Sequence, residues 1–192
     1  MAYSLTEYVT GKYYQSMFWL IQQNLPITPK KGKKYWSDID IFAVKDKEVH
    51  LISCKDYLQD NSKETQDKVL TNLTDAEEYV KEYYKFVNNN NITISKIYVY
   101  KETGRNTIER LKNEGVKTIH INEIISNYIK ELDKRLEILN KGKEKPKKGK
   151  RYSKIGEYKD LDKFIIHLLD NNFLNDELIN SLLKEDLSKI YK

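Results

Sequence analysis

Ser37 to Tyr57, SDIDIFAVKDKEVHLISCKDY, reads as two adjacent β-strands joined by a polar turn. Asp40 opens the apolar run Ile41-Phe42-Ala43-Val44, Lys45-Asp46-Lys47-Glu48 makes the turn, and Val49-His50-Leu51-Ile52-Ser53-Cys54-Lys55 returns. Side chains alternate across a strand, so Asp38 and Asp40 share one face, and Ser53 and Lys55 share one face. Pairing about that turn makes the two faces coincide and delivers an acid and a lysine to one place.

A carboxylate beside a lysine at the end of paired strands suits metal-assisted phosphodiester cleavage, because Mg²⁺ takes few protein carboxylates and keeps several waters. The metal would polarise the phosphate and help make a hydroxide, while the ammonium orients the water or offsets developing negative charge. The same two residue types also end many half-buried hairpins that carry no chemistry, so the pattern by itself leaves both readings open.

The order helix, strand, DIDIFAV, strand, ISCK, helix resembles the core of the PD-(D/E)XK nuclease superfamily, which includes archaeal Holliday-junction resolvases and many restriction endonucleases. The resemblance covers about residues 4 to 125. It implies a restriction-endonuclease-like α/β core, a mixed central β-sheet flanked by helices. Asp40 matches the family's strand-borne metal ligand and Lys55 the lysine of its tripeptide, with Mg²⁺ or Mn²⁺ as the implied cofactor and DNA as the implied partner. The residue between acid and lysine, here Cys54, offers a backbone carbonyl to the metal in that family, and a Glu on the first helix, here Glu7, often completes the site. Gln66 is similar in placement to a Gln that relatives carry early in the following helix, although the Tyr that accompanies it in some of them is replaced by Leu70.

Ser53 stands where the tripeptide's acid belongs. A hydroxyl is a weaker Mg²⁺ ligand than a carboxylate and cannot help neutralise the ion. Three outcomes follow. The site recruits another carboxylate, with Glu7 and Asp38 as candidates; it works with a weaker grip, Ser53 hydrogen-bonding a water of the metal's shell; or it keeps nucleic-acid binding and has lost catalysis. Glu7 also follows Ser4 at capping-box spacing, which gives it a structural role of its own.

At 192 residues the chain can bury a core of its own and is read as one domain with an appendage. No apolar run approaches a membrane span, and MAYSLTEYVTGKYY lacks a basic segment followed by an apolar one, so a soluble cytoplasmic protein is expected, in a host cytoplasm if the chain is viral. The single cysteine, Cys54, excludes an internal disulfide and reads as a small core residue. His50, His120 and His167 lie on separate elements without metal-ligand spacing, and no NTPase, dinucleotide or hydrolase motif occurs. Abundant Lys, Ile, Tyr, Asn and Glu with little Gly, Pro or Ala suggest an AT-rich genome, that of a thermophile or its virus, and the resemblance to resolvases implies an archaeal or viral source.

The net charge of +5 is spread unevenly. Lys30, Lys31, Lys33 and Lys34 precede the strand of Asp40, and Lys141 to Arg151 holds seven cations and one acid. Such runs neutralise phosphates or serve as solvated turns and linkers. Tyr13, Tyr14, Tyr35, Trp36 and Tyr57 gather around the same region, where aromatics stack on unpaired bases or simply pack a sheet.

Helical spacing of Leu5, Val9, Tyr13, Met17, Leu20 and Ile21 predicts a first helix from Ser4 to Asn24, ended by Pro26 and Pro29, which start the first strand. Asp60 to Val87 reads as one long helix with the buried stripe Val69, Leu73, Ala76, Val80, Tyr84 and Val87. Lys96 to Lys101 is a buried strand. Asn106 and Glu109 form a capping box for a short helix ending at Gly115. Val116 to Ile121 is another strand, and Asn122 caps a helix through Ile125, Ile129, Leu132, Leu136 and Leu139. The organisation expected is a nuclease-like domain over 1–140, a basic linker over 141–151 and a C-terminal helical appendage over 152–192 that packs on the core or on a second copy.

The leading expectation is a Mg²⁺- or Mn²⁺-dependent DNA endonuclease, with branched junction DNA as a candidate substrate. By analogy with resolvases it would act as a homodimer, matching two-fold substrate with two-fold protein. The alternative is a catalytically inactive nucleic-acid-binding module on the same fold. A third reading, a protein-interaction factor using the C-terminal helices, leaves Asp40 and Lys55 unexplained.

Overall fold

In the computed structural model, residues 4–27, 37–58, 62–89 and 91–140 are described. Lys30, Lys31, Lys33, Lys34, Tyr35 and Trp36, the basic run 141–151 and the segment 152–192 with His167 lie outside them. The turn at Asp46-Lys47, with Asp46 at φ 51°, joins β2 (Ser37–Lys45) to β3 (Glu48–Leu58). Lys45 faces Glu48 and Ile41 faces Ile52 in an antiparallel register, the one expected from the sequence. β1 (Leu20–Ile27) pairs antiparallel with β2 on its outer side, while β4 (Thr93–Thr103) and β5 (Lys117–His120) continue beyond β3 in parallel. The result is an α/β fold with a five-stranded mixed sheet, order β1-β2-β3-β4-β5.

Parallel neighbours require crossovers. α2 (Lys63–Tyr83) with α3 (Lys85–Asn89) links β3 to β4, and α4 (Arg105–Asn113) links β4 to β5. α2 buries Val69, Leu73, Ala76 and Val80, the stripe its sequence predicts, against Phe42, Val49, Leu51 and Tyr98. The long helix breaks earlier than expected, at Tyr84, whose ring packs 5.1 Å from that of Phe42. Arg110 pairs with Asp67 and tightens α4 onto α2.

α1 (Leu5–Ser16) is shorter than its apolar spacing predicts. Phe18 adopts φ 61°, a left-handed conformation that ends the helix, and Leu20 and Ile21 belong to β1. Pro26 therefore sits inside a strand, where an edge position tolerates its missing N–H. The buried face is also displaced: Leu5 is 57 % exposed, and Thr6, Glu7, Val9, Thr10, Gly11 and Tyr14 are covered instead. A Cβ on Gly11 would come within 2.9 Å of Gln23 Nε2, so glycine permits the close approach of α1 to β1.

Two predicted caps are corrected. α4 is preceded by Gly104, not Asn106, and Asn122 lies inside α5 (Ile121–Asn140). His120 takes over that second role, its Nδ1 accepting the Asn122 N–H at 3.1 Å while Nε2 lies 2.9 Å from the Lys101 carbonyl. The chain divides into two compact units, one ending at Ile124 and the other beginning at Ile125; all five strands and α1 to α4 belong to the first. No described helix is long and apolar enough to cross a membrane.

Candidate metal and catalytic site

The β2–β3 ladder runs in register as far as Ile41 and Ile52, and one step further it would oppose Asp40 to Ser53. There a side chain takes the place of the main chain: Asp40 Oδ2 accepts the Cys54 backbone N–H at 2.6 Å. A strand N–H points along the plane of its sheet, so this bond draws the carboxylate into the seam between the strands. Ser53 Oγ donates to the same oxygen at 3.2 Å, and Lys55 Nζ lies 3.5 Å from it. Asp40, Ser53 and Lys55 thus come together as the strand alternation predicts. No described residue hydrogen-bonds Asp40 Oδ1.

The seam position explains how two layers reach one acid. α1 covers the sheet face that carries His50, with Tyr14 Oη 2.9 Å from His50 Nδ1, whereas α2 covers the opposite face at Val49 and Leu51. Lys55 and Glu7 start on different sides, and Glu7 lies near enough to feel the charges of Asp40 and Lys55. Glu7 is only 8 % exposed. Burial pushes its carboxyl pKa up, the negative charge of Asp40 adds to this, and Lys55 partly offsets both. Asp38, exposed and paired with Pro26, adds its charge from further out.

Glu7 Oε1 is buried and has no hydrogen-bond partner among the described residues. A buried carboxylate oxygen left unpaired is costly, and native proteins rarely keep one without a reason. A divalent cation shared by Glu7 Oε1 and Asp40 Oδ1 would satisfy both. The N–H and C=O of an extended residue project to the same side, so the Cys54 carbonyl faces the seam as its N–H does and would offer such an ion a third oxygen. Among the described residues no three His, Cys, Asp or Glu side chains form a ready-made metal cage. A hard ion held by two carboxylates, a carbonyl and waters fits these donors better than a dedicated cage does.

Cys54 is a core residue: its thiol is buried and its pKa pushed well up by burial, with the charge of Asp40 acting the same way. Gln66 does not face the site through its amide contacts; Nε2 donates to Thr107 Oγ1 at 3.0 Å and Oε1 accepts from Arg110 at 2.9 Å, tying α2 to α4. His50 packs against Trp19 with ring centroids 4.3 Å apart and planes tilted by 31°, and burial lowers its pKa, which favours the neutral ring in a structural role.

Asp56 was not evident as a site residue from the sequence. Its carboxylate accepts the Thr6 N–H at 2.7 Å and the Leu5 N–H at 3.1 Å, across fifty residues of chain. Burial would raise its pKa, but the hydrogen bonds from Thr6 and Leu5 outweigh that and hold it below the usual carboxylate value. Strand parity was the one available signal, since it turns Asp56 away from Lys55 and toward the side that α1 covers.

The chain matches no family model and no curated protein. Among solved structures it is similar to AF1548, a protein of unknown function, at 12 % identity and a TM-score of 0.42, over 61 % of this chain. The chain spans 58 % of that protein's length, and so distant a likeness bears on neither fold nor chemistry.

Proposed function

We propose that the chain is a divalent-metal-dependent DNA endonuclease with a restriction-endonuclease-like core. One observation supports this above the others: Glu7 Oε1, within range of the Asp40 charge, is buried with no hydrogen-bond partner among the described residues, and Asp40 has Oδ2 engaged and no hydrogen bond from them to Oδ1. Asp40, Glu7 and the Cys54 carbonyl would hold Mg²⁺ or Mn²⁺, with Asp38 adding charge nearby. When bound, such an ion polarises a phosphate oxygen and eases deprotonation of water.

The chain's own groups divide the remaining work. The Cys54 N–H and the Ser53 hydroxyl fix one oxygen of Asp40, so the other is held in a set direction. Ser53 spends its proton on Asp40 and retains lone pairs that accept from a water. Lys55, 3.5 Å from Asp40, offers an ammonium to orient the attacking water or offset charge on the phosphate. Glu7 supplies the carboxylate that Ser53 lacks. The lysines at 30, 31, 33 and 34 would track the DNA backbone, and a homodimer would match a two-fold junction.

Plasmid and branched-junction DNA incubated with Mg²⁺ or Mn²⁺ test this reading. Wild-type cleavage that is lost in Asp40→Ala and Lys55→Ala supports it, and cleavage undiminished in both variants rejects these roles. A non-catalytic nucleic-acid-binding module is the second reading, favoured by the serine in the acid's place. It predicts salt-sensitive DNA binding without cleavage and without divalent-metal binding.

A further inference from the structure

We infer that Asp56 is a positioning residue, which sets Glu7 against Asp40 and Lys55 by clamping the first turn of α1 to β3. The inference rests on the reading of Glu7 as a metal ligand and extends it to the residue that places it.

A helix start leaves four N–H groups without partners inside the helix. In α1 the first belongs to the cap residue Ser4; of the three that follow, Glu7 N–H is satisfied locally by Ser4 Oγ at 3.1 Å, and Tyr8 N–H then makes the first intrahelical bond, to the Ser4 carbonyl at 2.9 Å. Ser4 therefore decides where the helix begins. The other two, on Leu5 and Thr6, go to the two oxygens of Asp56. A two-point grip fixes rotation as well as distance, and a carboxylate is the favoured charge at this end of a helix.

Apolar packing cannot do the same job here. Leu5 is 57 % exposed and Tyr8 41 % exposed, and the covered positions in this turn are Thr6 and Glu7. Asp56 follows Lys55 directly, on a strand that stays paired with β4 through Tyr57–Glu102 and Leu58–Thr103. One rigid segment thus carries the ammonium on one side and the clamp for the opposing carboxylate on the other. A loose first turn would let Glu7 leave its buried place.

The test compares Asp56→Ala and Asp56→Asn, alone and with Glu7→Gln. In metal-free protein, amide hydrogen exchange at Thr6 and Glu7 is expected to accelerate at least about tenfold in Asp56→Ala, with core amides at Leu51 and Tyr98 unchanged. Asn keeps one acceptor oxygen and should fall between. Calorimetry with Mn²⁺ alone is expected to give about tenfold weaker binding for Asp56→Ala, and almost no further loss when Glu7 is already Gln. Unchanged exchange in the first turn overturns the clamp, and equal losses in both backgrounds overturn its action through Glu7. A wild type that takes up no Mn²⁺, yet whose first turn frays in Asp56→Ala, retains the clamp and removes the metal reading instead.

Discussion

α1 and α2 lie against the same sheet from opposite sides, and they bury opposite kinds of surface. α2 covers Val69, Leu73, Ala76 and Val80, a stripe that propensity and periodicity alone would assemble. α1 covers Thr6, Glu7, Thr10 and Gly11 with only Val9 and Tyr14 as large apolar anchors, and it exposes Leu5. A helix held down by hydrophobic area has no need of a carboxylate bridge to its first turn or of a buried glutamate. On the proposed reading of Glu7, α1 is the element whose sequence serves a site at the expense of packing.

The largest expected effect lies on the site side of this contrast. Asp40→Ala removes a proposed metal ligand and leaves the Cys54 N–H without its acceptor; DNA cleavage should fall by roughly 10²- to 10³-fold, measured as initial rates at saturating Mg²⁺. Lys55→Ala should fall comparably in cleavage while keeping its Mn²⁺ affinity, because the ammonium binds no metal. Equal loss of Mn²⁺ affinity in the two variants would blur the division of roles.

Next comes the core side. Leu73 is fully buried, and Leu73→Ala should cost about 2–5 kcal/mol of stability, read from urea unfolding, with Mn²⁺ affinity unchanged in the folded protein. A drop in affinity of the same proportion as stability would show that the two helices do not divide labour. Glu7→Gln should move stability the other way, up by roughly 1 kcal/mol near neutral pH because a buried and poorly compensated charge is gone, while metal affinity collapses.

The smallest effect is the pH course of that gain. The folded pKa of Glu7 is raised from 4.5, so the unfolded chain releases its proton first and ionised Glu7 opposes folding. The advantage of Glu7→Gln is full above the folded pKa and shrinks to nothing as pH falls toward 4.5. Urea midpoints of the pair across acidic to neutral pH measure this, and a constant difference would mean that Glu7 is not buried as an acid.

The hairpin and α2 were legible because each carries one clear pattern: apolar runs from Ile41 to Val44 and from Val49 to Cys54 about a polar turn, and helical spacing through Val69 to Val80. Asp40 and Lys55 could be paired from that register alone. The extent of α1 was not legible, since Leu20 and Ile21 extend its apolar spacing although Phe18 turns the chain into a strand. Its buried face was hidden for a related reason: hydrophobic pattern cannot find a face made of Thr, Glu and Gly. Asp56 escaped because its partners lie fifty residues away and nothing in local spacing marks a cross-chain cap. His120 escaped as the start of α5 because Asn122 is the more usual capping residue.

Crystals soaked in Mn²⁺ and measured for anomalous scattering bear most directly on the seam between β2 and β3 as a metal site. One strong peak is expected between the carboxylates of Asp40 and Glu7, within reach of the Cys54 carbonyl, and it should disappear in Glu7→Gln. A fully soaked crystal with no density there, or with Lys55 turned away from an Asp40 that binds nothing, would contradict that site.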